Sequence, residues 1–259
     1  MTYGDRRHAC AFGAVAERYD RARPSYPAAL ISDLAAESPR GVLDVGCGTG
    51  KVGRLFLERG CRVLGIEPDP SMAAIARRRG VEVETASFED WEPRGRRFDL
   101  VVAGQAWHWV DPEVGRVKAA SVLSPGRRFG AFWNLVHHDP VARNALRPIY
   151  ERFAPELLDG AVVGGAVLGT LAEKDDAELE ALTAGGLFER PEKRTYGWRT
   201  RYTRRDWVEL ISTHSDHLVL EPERLAAVIA RVGAVIDSLG GSITVRFEST
   251  VLTVTARGL

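Results

Sequence analysis

The chain has 259 residues, 45% of them hydrophobic, enough to bury a sizeable core in one domain. Lys+Arg and Asp+Glu each number 35, so the formal net charge is zero and no bulk field favours nucleic acid or an anionic membrane. The three cysteines, Cys10, Cys47 and Cys61, lack metal-ligand spacing, which argues against a disulfide framework and for a reducing compartment.

The opening stretch MTYGDRRHACAFG has no apolar signal segment, and no run approaches the ~18 apolar residues of a membrane helix. A soluble, cytoplasmic, bacterial protein is the expectation. Most basic residues are arginine, so Arg77-Arg78-Arg79 reads as a solvated helix end.

In chain order, residues 1–36 carry aromatics and arginines and lead into a helix at Pro27–Ala36. From about residue 40 to 134, short apolar runs alternate with helical patterns. Gly41–Val45, Arg62–Ile66, Val81–Thr85, Asp99–Ala103 and Arg128–Trp133 read as strands. Val52–Arg59, Ser71–Arg79 with Ser71 as its cap, and Pro112–Leu123 read as helices. This alternation predicts an α/β, doubly wound parallel sheet with right-handed crossovers. Residues 135–220 read as mostly helical, with a glycine-rich interruption at Gly160–Gly169 and a partner strand in Arg194–Tyr202. Pro222–Leu239 reads as a helix, followed by strand segments at Ser242–Glu248 and Thr250–Ala256. The division expected is one domain over 1–259, with a cap (1–36), a core (37–134), a helical lid (135–220) and a terminal helix and strand (221–259).

The most informative stretch is Val42-Leu43-Asp44-Val45-Gly46-Cys47-Gly48-Thr49-Gly50, a strand running into a glycine turn. Glycines there allow positive φ and close approach of a ligand to the backbone. A phosphate-binding P-loop needs GxxxxGK[ST], and Val45 and Val52 break it. A dinucleotide turn needs GxGxxG, and Lys51 stands where the third glycine belongs. That weakens an NAD(P)-linked dehydrogenase. What remains is DxGxGxG, on Asp44, Gly46, Gly48 and Gly50. Glu67, at the end of the second strand, has two oxygens to accept from ribose hydroxyls.

This pair of motifs resembles class I S-adenosylmethionine (SAM) dependent methyltransferases. Asp69-Pro70-Ser71-Met72, Ala86-Ser87-Phe88-Glu89-Asp90, Phe98-Asp99-Leu100-Val101 and Leu123-Ser124-Pro125-Gly126-Arg127 resemble the family's next stations. Within the superfamily, FGAVAERYDRARPSYP and QAWHW are similar to the trans-aconitate-methyltransferase-like, type 11 group. The resemblance implies a Rossmann-like seven-stranded sheet with an N-terminal helical cap and a helical lid. It implies SAM as cofactor, S-adenosylhomocysteine as product, and no metal. It places Asp44, Gly46, Cys47, Gly48, Gly50, Glu67, Pro68, Met72, Ser87, Phe88, Gln105, Tyr19 and Arg23 against SAM. Aromatic faces suit a sulfonium cation and an arginine suits a carboxylate.

Tyr26, Trp107, His108, Trp109 and Asn134 are the residues expected at the acceptor, with His108 as candidate base. His108 follows the fourth strand at the edge where the methyl group should point, and imidazole titrates near neutrality. A packing role, or a contact without proton transfer, stays open for it. His137, His138 and Asp139 lack a third well-spaced ligand set, which argues against a metal site. His214 and His217 are weaker acceptor-pocket candidates, and Trp198, Tyr202 and Trp207 candidate apolar lining. Aromatic–arginine interleaving in RTYGWRTRYTRRDW is read as a strand-to-helix junction with Thr203 as cap rather than a nucleic-acid surface. The function expected is methyl transfer to a small molecule, at oxygen of a carboxylate or hydroxyl, by a monomer or homodimer. The alternatives are a SAM-binding protein without transfer (a sensor or cyclase-type enzyme) and C- or N-methylation of a natural product.

Overall fold

The computed structural model describes residues 13–158 and 168–258. Cys10, Phe12 and most of the glycine-rich stretch around 160–169 lie outside them. Helices α1 (Ala16–Ala22) and α2 (Ala28–Leu34) precede β1 (Gly41–Val45), α3 (Lys51–Leu57) and β2 (Arg62–Ile66). Then come α4 (Pro70–Arg78), β3 (Glu82–Glu84), β4 (Phe98–Gly104), α5 (Pro112–Val122) and β5 (Leu123–His138). The second half holds α6 (Pro140–Phe153), α7 (Leu168–Thr183), β6 (Phe188–Thr203), α8 (Arg204–Ile211), α9 (Ser215–Leu218), α10 (Pro222–Ser238) and β7 (Ser242–Ala256).

The strands form a seven-stranded sheet in the order β3-β2-β1-β4-β5-β7-β6. The first five are parallel, and β7 runs antiparallel between β5 and β6. Burial on both faces explains the unbroken apolar runs: Val42, Leu43, Val101 and Val102 are all 0% exposed. Strand order reverses between β1 and β4, and a crevice opens beyond the carboxyl ends at such a switch point. Among the described residues, no helix is long and apolar enough to cross a membrane.

Local chemistry moves three boundaries. Asp69, not Ser71, caps α4: its Oδ1 accepts from the N–H of Ser71 at 2.8 Å and of Met72 at 3.0 Å. Pro70 then takes the first helical position, where its missing N–H costs nothing. The fifth strand runs on to His138, because β7 pairs with it residue by residue from Arg128↔Thr255 to His138↔Val245. The segment expected to be mostly helical holds a 16-residue strand, β6, which extends the predicted Arg194–Tyr202 strand at both ends. Thr203 does cap the helix that follows, accepting from the Asp206 N–H at 3.2 Å.

One face of the sheet buries Phe88, Trp91, Trp107 and Phe129 in a single cluster. Trp107 is 2% exposed and its ring sits 4.4 Å, centre to centre, from Phe129. The indole belongs to this core cluster and is not among the residues that line the cleft described below. Similarly, Trp207 is buried at 1%, Tyr202 meets it edge-on, and Trp198 stacks on Phe247 at 4.3 Å. Trp107→Ala should therefore lower unfolding stability by about 3–5 kcal/mol in urea denaturation, as large core deletions do.

Candidate active site

The site grows from the turn after β1. Gly46, Gly48 and Gly50 have φ of +63°, +55° and +79°. At Gly46 a side chain is also excluded by contact, since a Cβ would lie 2.5 Å from that of Ala106. Two buried carboxylates hold the turn from below. Asp44, 1% exposed, accepts the Gly53 N–H on Oδ2 at 3.0 Å. Its Oδ1 is buried and has no hydrogen-bond partner among the described residues. Glu67, 8% exposed, accepts from Gly48 N–H at 2.8 Å on one oxygen and from Asp69 N–H at 2.9 Å on the other. Burial pushes the Asp44 carboxyl up to about 8, against the Gly53 hydrogen bond and with the Glu67 charge adding to it. Burial likewise pushes Glu67 up to about 7, against its two backbone hydrogen bonds.

The N-terminal helix lies across this turn. Ala16 and Tyr19 of α1 pack on Met72 and Ile75 of α4. Glu17 pairs with Arg78 and Asp20 with Arg79, and Lys51 Nζ donates to the Asp20 carbonyl at 2.7 Å. On its other side α1 reaches the C-terminal half. Arg21 pairs with Glu209 at 2.8 Å, and Arg23 donates to Thr213 Oγ1 at 3.0 Å and to its carbonyl at 2.9 Å. The Arg23 guanidinium also sits 5.0 Å from the centre of the Tyr19 ring.

Between the two halves is a cleft of about 640 Å³, part of it open to solvent. Of the predicted residues, Tyr19, Arg23, Tyr26, Gly46, Cys47, Gly48, Gln105 and Asn134 line it. Tyr26 is seated edge-on against Phe132 at 4.8 Å. Burial raises the hydroxyls of Tyr19 and Tyr26, so both stay protonated. Gln105 has the left-handed φ of +58°, rare outside glycine; its N–H donates to the Phe132 carbonyl at 2.8 Å. Asn134 is tied down at both ends, donating to the Ser25 carbonyl at 3.3 Å and accepting from Ser249 Oγ at 2.5 Å.

Other predicted residues sit elsewhere. Met72 packs under α1, Glu67 supports the turn without being among the cleft-lining residues, and Pro68 is exposed. The Phe88 ring belongs to the core, 4% exposed. Ser87 closes its own turn, donating to Asp90 Oδ2 at 2.7 Å and accepting the Asp90 N–H at 3.1 Å. His108 and its ring neighbour Trp109, 4.6 Å away, are not among the cleft-lining residues. The His108 Nδ1 accepts the Trp133 indole N–H at 3.0 Å. A neutral ring so engaged has its proton on Nε2 and no spare lone pair, which removes the geometric basis for His108 as a base. Sequence reading did not assign Val136, Leu210 and Phe247, which form the apolar wall. Val136 and Phe247 are register partners on β5 and β7, a pairing that no local motif encodes.

Comparison with known proteins agrees with this architecture. Residues 42–126 match the methyltransferase domain family. An uncharacterized methyltransferase of Mycobacterium tuberculosis is 38% identical over 136 residues, 52% of this chain and 56% of that protein. The chain thus spans just over half the length of these relatives. A trans-aconitate 2-methyltransferase of Mycobacterium tuberculosis is 36% identical over 110 residues, 41% of each chain. A protein from Anaeromyxobacter dehalogenans described as a type II methyltransferase superposes with a TM-score of 0.65 at 23% identity. That match covers 89% of this chain and 97% of the other, and shows the class I methyltransferase fold.

Burial lowers the His108 pKa to about 4. The unfolded imidazole, near 6.5, binds its proton first, so stability falls as pH drops from about 6.5 toward 4. His108→Gln should flatten that part of the urea-midpoint profile relative to wild type; parallel profiles would show that His108 is not held neutral.

Proposed function

We propose that the chain is a SAM-dependent methyltransferase acting on oxygen of a small carboxylic acid. The observation that carries the cofactor reading is the buried, unpartnered Asp44 oxygen beneath a turn whose glycines admit a ligand to the backbone. A carboxyl oxygen without a donor suits the ammonium of an amino-acid ligand, whose charge favours the carboxylate form. Glu67 uses one lone pair of each oxygen on backbone amides, and keeps others for ribose hydroxyls. When bound, SAM supplies a methyl carbon on a positive sulfur, which departs with the carbon–sulfur electron pair as the acceptor oxygen bonds the carbon.

The rest falls to the protein: to hold the nucleophile in line and to exclude water. A carboxylate acceptor asks least of the residues that line the cleft. The Trp133 indole occupies His108, and the Tyr19 and Tyr26 hydroxyls stay protonated. A carboxylate brings its own negative charge, so no side chain has to take a proton. The relatives named trans-aconitate 2-methyltransferase point the same way. The reading includes a cytoplasmic monomer or homodimer without a nucleic-acid partner, in keeping with zero net charge.

Calorimetry with SAM, followed by release of S-adenosylhomocysteine from labelled SAM across carboxylic acids, phenols and amines, tests it. The expected outcome is SAM binding and turnover on acids alone. Binding without turnover on any acceptor favours a SAM sensor, and no binding removes both readings. Glu67→Ala should weaken SAM at least about tenfold, the worth of hydrogen bonds to a charged group.

Asp44 near 8 is mostly protonated at pH 7, and a cation beside it favours the carboxylate. SAM binding at pH 7 should therefore release up to about one proton. The measured enthalpy would then vary with the ionisation enthalpy of the buffer, and Asp44→Asn should remove most of that dependence.

A further inference from the structure

The wall of the cleft opposite the glycine turn comes from the C-terminal half, and its polar group is His214, between α8 and α9. The ring lines the cleft beside Leu210 and Phe247. Behind it lies a built support. The rings of His214 and His217 meet edge-on, 5.9 Å apart at 74°. His217 is 0% exposed; its Nδ1 is 2.7 Å from Asp216 Oδ1, and its Nε2 is 3.0 Å from the hydroxyl of Tyr150 on α6. Burial opposes ionisation of Asp216, but the hydrogen bond from His217 holds its carboxyl well below the usual range. Burial keeps the Tyr150 phenol protonated. His217 therefore bridges the Tyr150 hydroxyl on Nε2 and the Asp216 carboxylate on Nδ1, which donates its N–H to it. Two hydrogen bonds at opposite corners leave the His217 ring one orientation.

We propose that His214 is the side chain that holds the methyl acceptor, and that the buried Tyr150–His217–Asp216 chain positions it for an acid with an apolar body. This inference rests on the methyltransferase reading above. His214 and the glycine turn line one cleft, and Arg23 ties the two sides together through Thr213, the residue next to His214. Burial first, and then the Arg23 guanidinium, keep the His214 imidazole neutral. A neutral N–H can orient one carboxylate oxygen without the full positive charge that would weaken the other as a nucleophile. The apolar wall of Val136, Leu210 and Phe247 takes the body of the acid, burying area that a tricarboxylate does not offer.

The test is calorimetry on the S-adenosylhomocysteine-loaded protein with phenylacetate, a carboxylate on an apolar body, and with trans-aconitate. Phenylacetate should bind more tightly. His214→Ala should weaken it at least about tenfold, the worth of one oriented hydrogen bond, and His214→Gln, which keeps an N–H donor, should recover part of the loss. Tyr150→Phe should weaken phenylacetate about threefold or more, by freeing the ring behind His214. All three variants should bind S-adenosylhomocysteine as wild type does, which separates loss of the contact from loss of the fold. Equal phenylacetate affinity in wild type and His214→Ala overturns the inference, as does tighter binding of trans-aconitate or no binding of phenylacetate. Failure of the wild-type protein to bind S-adenosylhomocysteine overturns the methyltransferase reading instead.

Discussion

The ligand-facing edge of the sheet depends on the hydrogen bond from the Gly48 N–H to the Glu67 carboxylate. It joins the turn after β1 to the end of β2, and the other Glu67 oxygen carries the constraint on to Asp69 and so to the cap of α4. One side chain thereby fixes a loop, a strand end and a helix start. The arrangement is costly: removing a carboxylate from water costs several kcal/mol, and Asp44 is buried alongside it. Backbone amides offset part of that cost, and the Oδ1 of Asp44 is left without a donor among the described residues.

The second constraint is the reach of α1. Its ion pairs on one side belong to the glycine-turn half, through Arg78 and Arg79; on the other, an ion pair to Glu209 and a hydrogen bond to Thr213 reach the C-terminal half. Exposed pairs such as Arg78–Glu17 contribute little stability individually. What they do is register the helix so that Tyr19 and Arg23 stand at the mouth of the cleft. Arg23 is then shared: its guanidinium covers the Tyr19 face and grips Thr213, so the two walls of the cleft are spaced by one side chain.

The core and the glycine turn were legible in the sequence because both are local. Apolar runs of five residues flanked by turn chemistry specify parallel strands, and Asp44, Gly46, Gly48 and Gly50 lie within seven positions of one another. The apolar wall of the cleft was not legible. Phe247 and Val136 meet only because β7 folds back antiparallel against β5, and Leu210 arrives from a helix between them in sequence. The tryptophans misled for a related reason. Trp107 and Trp198 have the size and polarity of ligand contacts, and nothing within a few residues reveals that one faces Phe129 and the other lies flat on Phe247. His108 shows the limit of residue type alone: imidazole is a base only where its lone pair is free, and a tryptophan 25 positions away takes it.

The margins of the sheet also matter. At one end β3 has three residues; at the other β6 turns Lys193, Arg199 and Arg201 outward on an exposed strand. A short margin offers few open backbone groups, and a cationic one repels its own copy. The sheet thus terminates itself, and a chain with no net charge to keep its copies apart is protected from strand-on-strand growth by where its arginines stand.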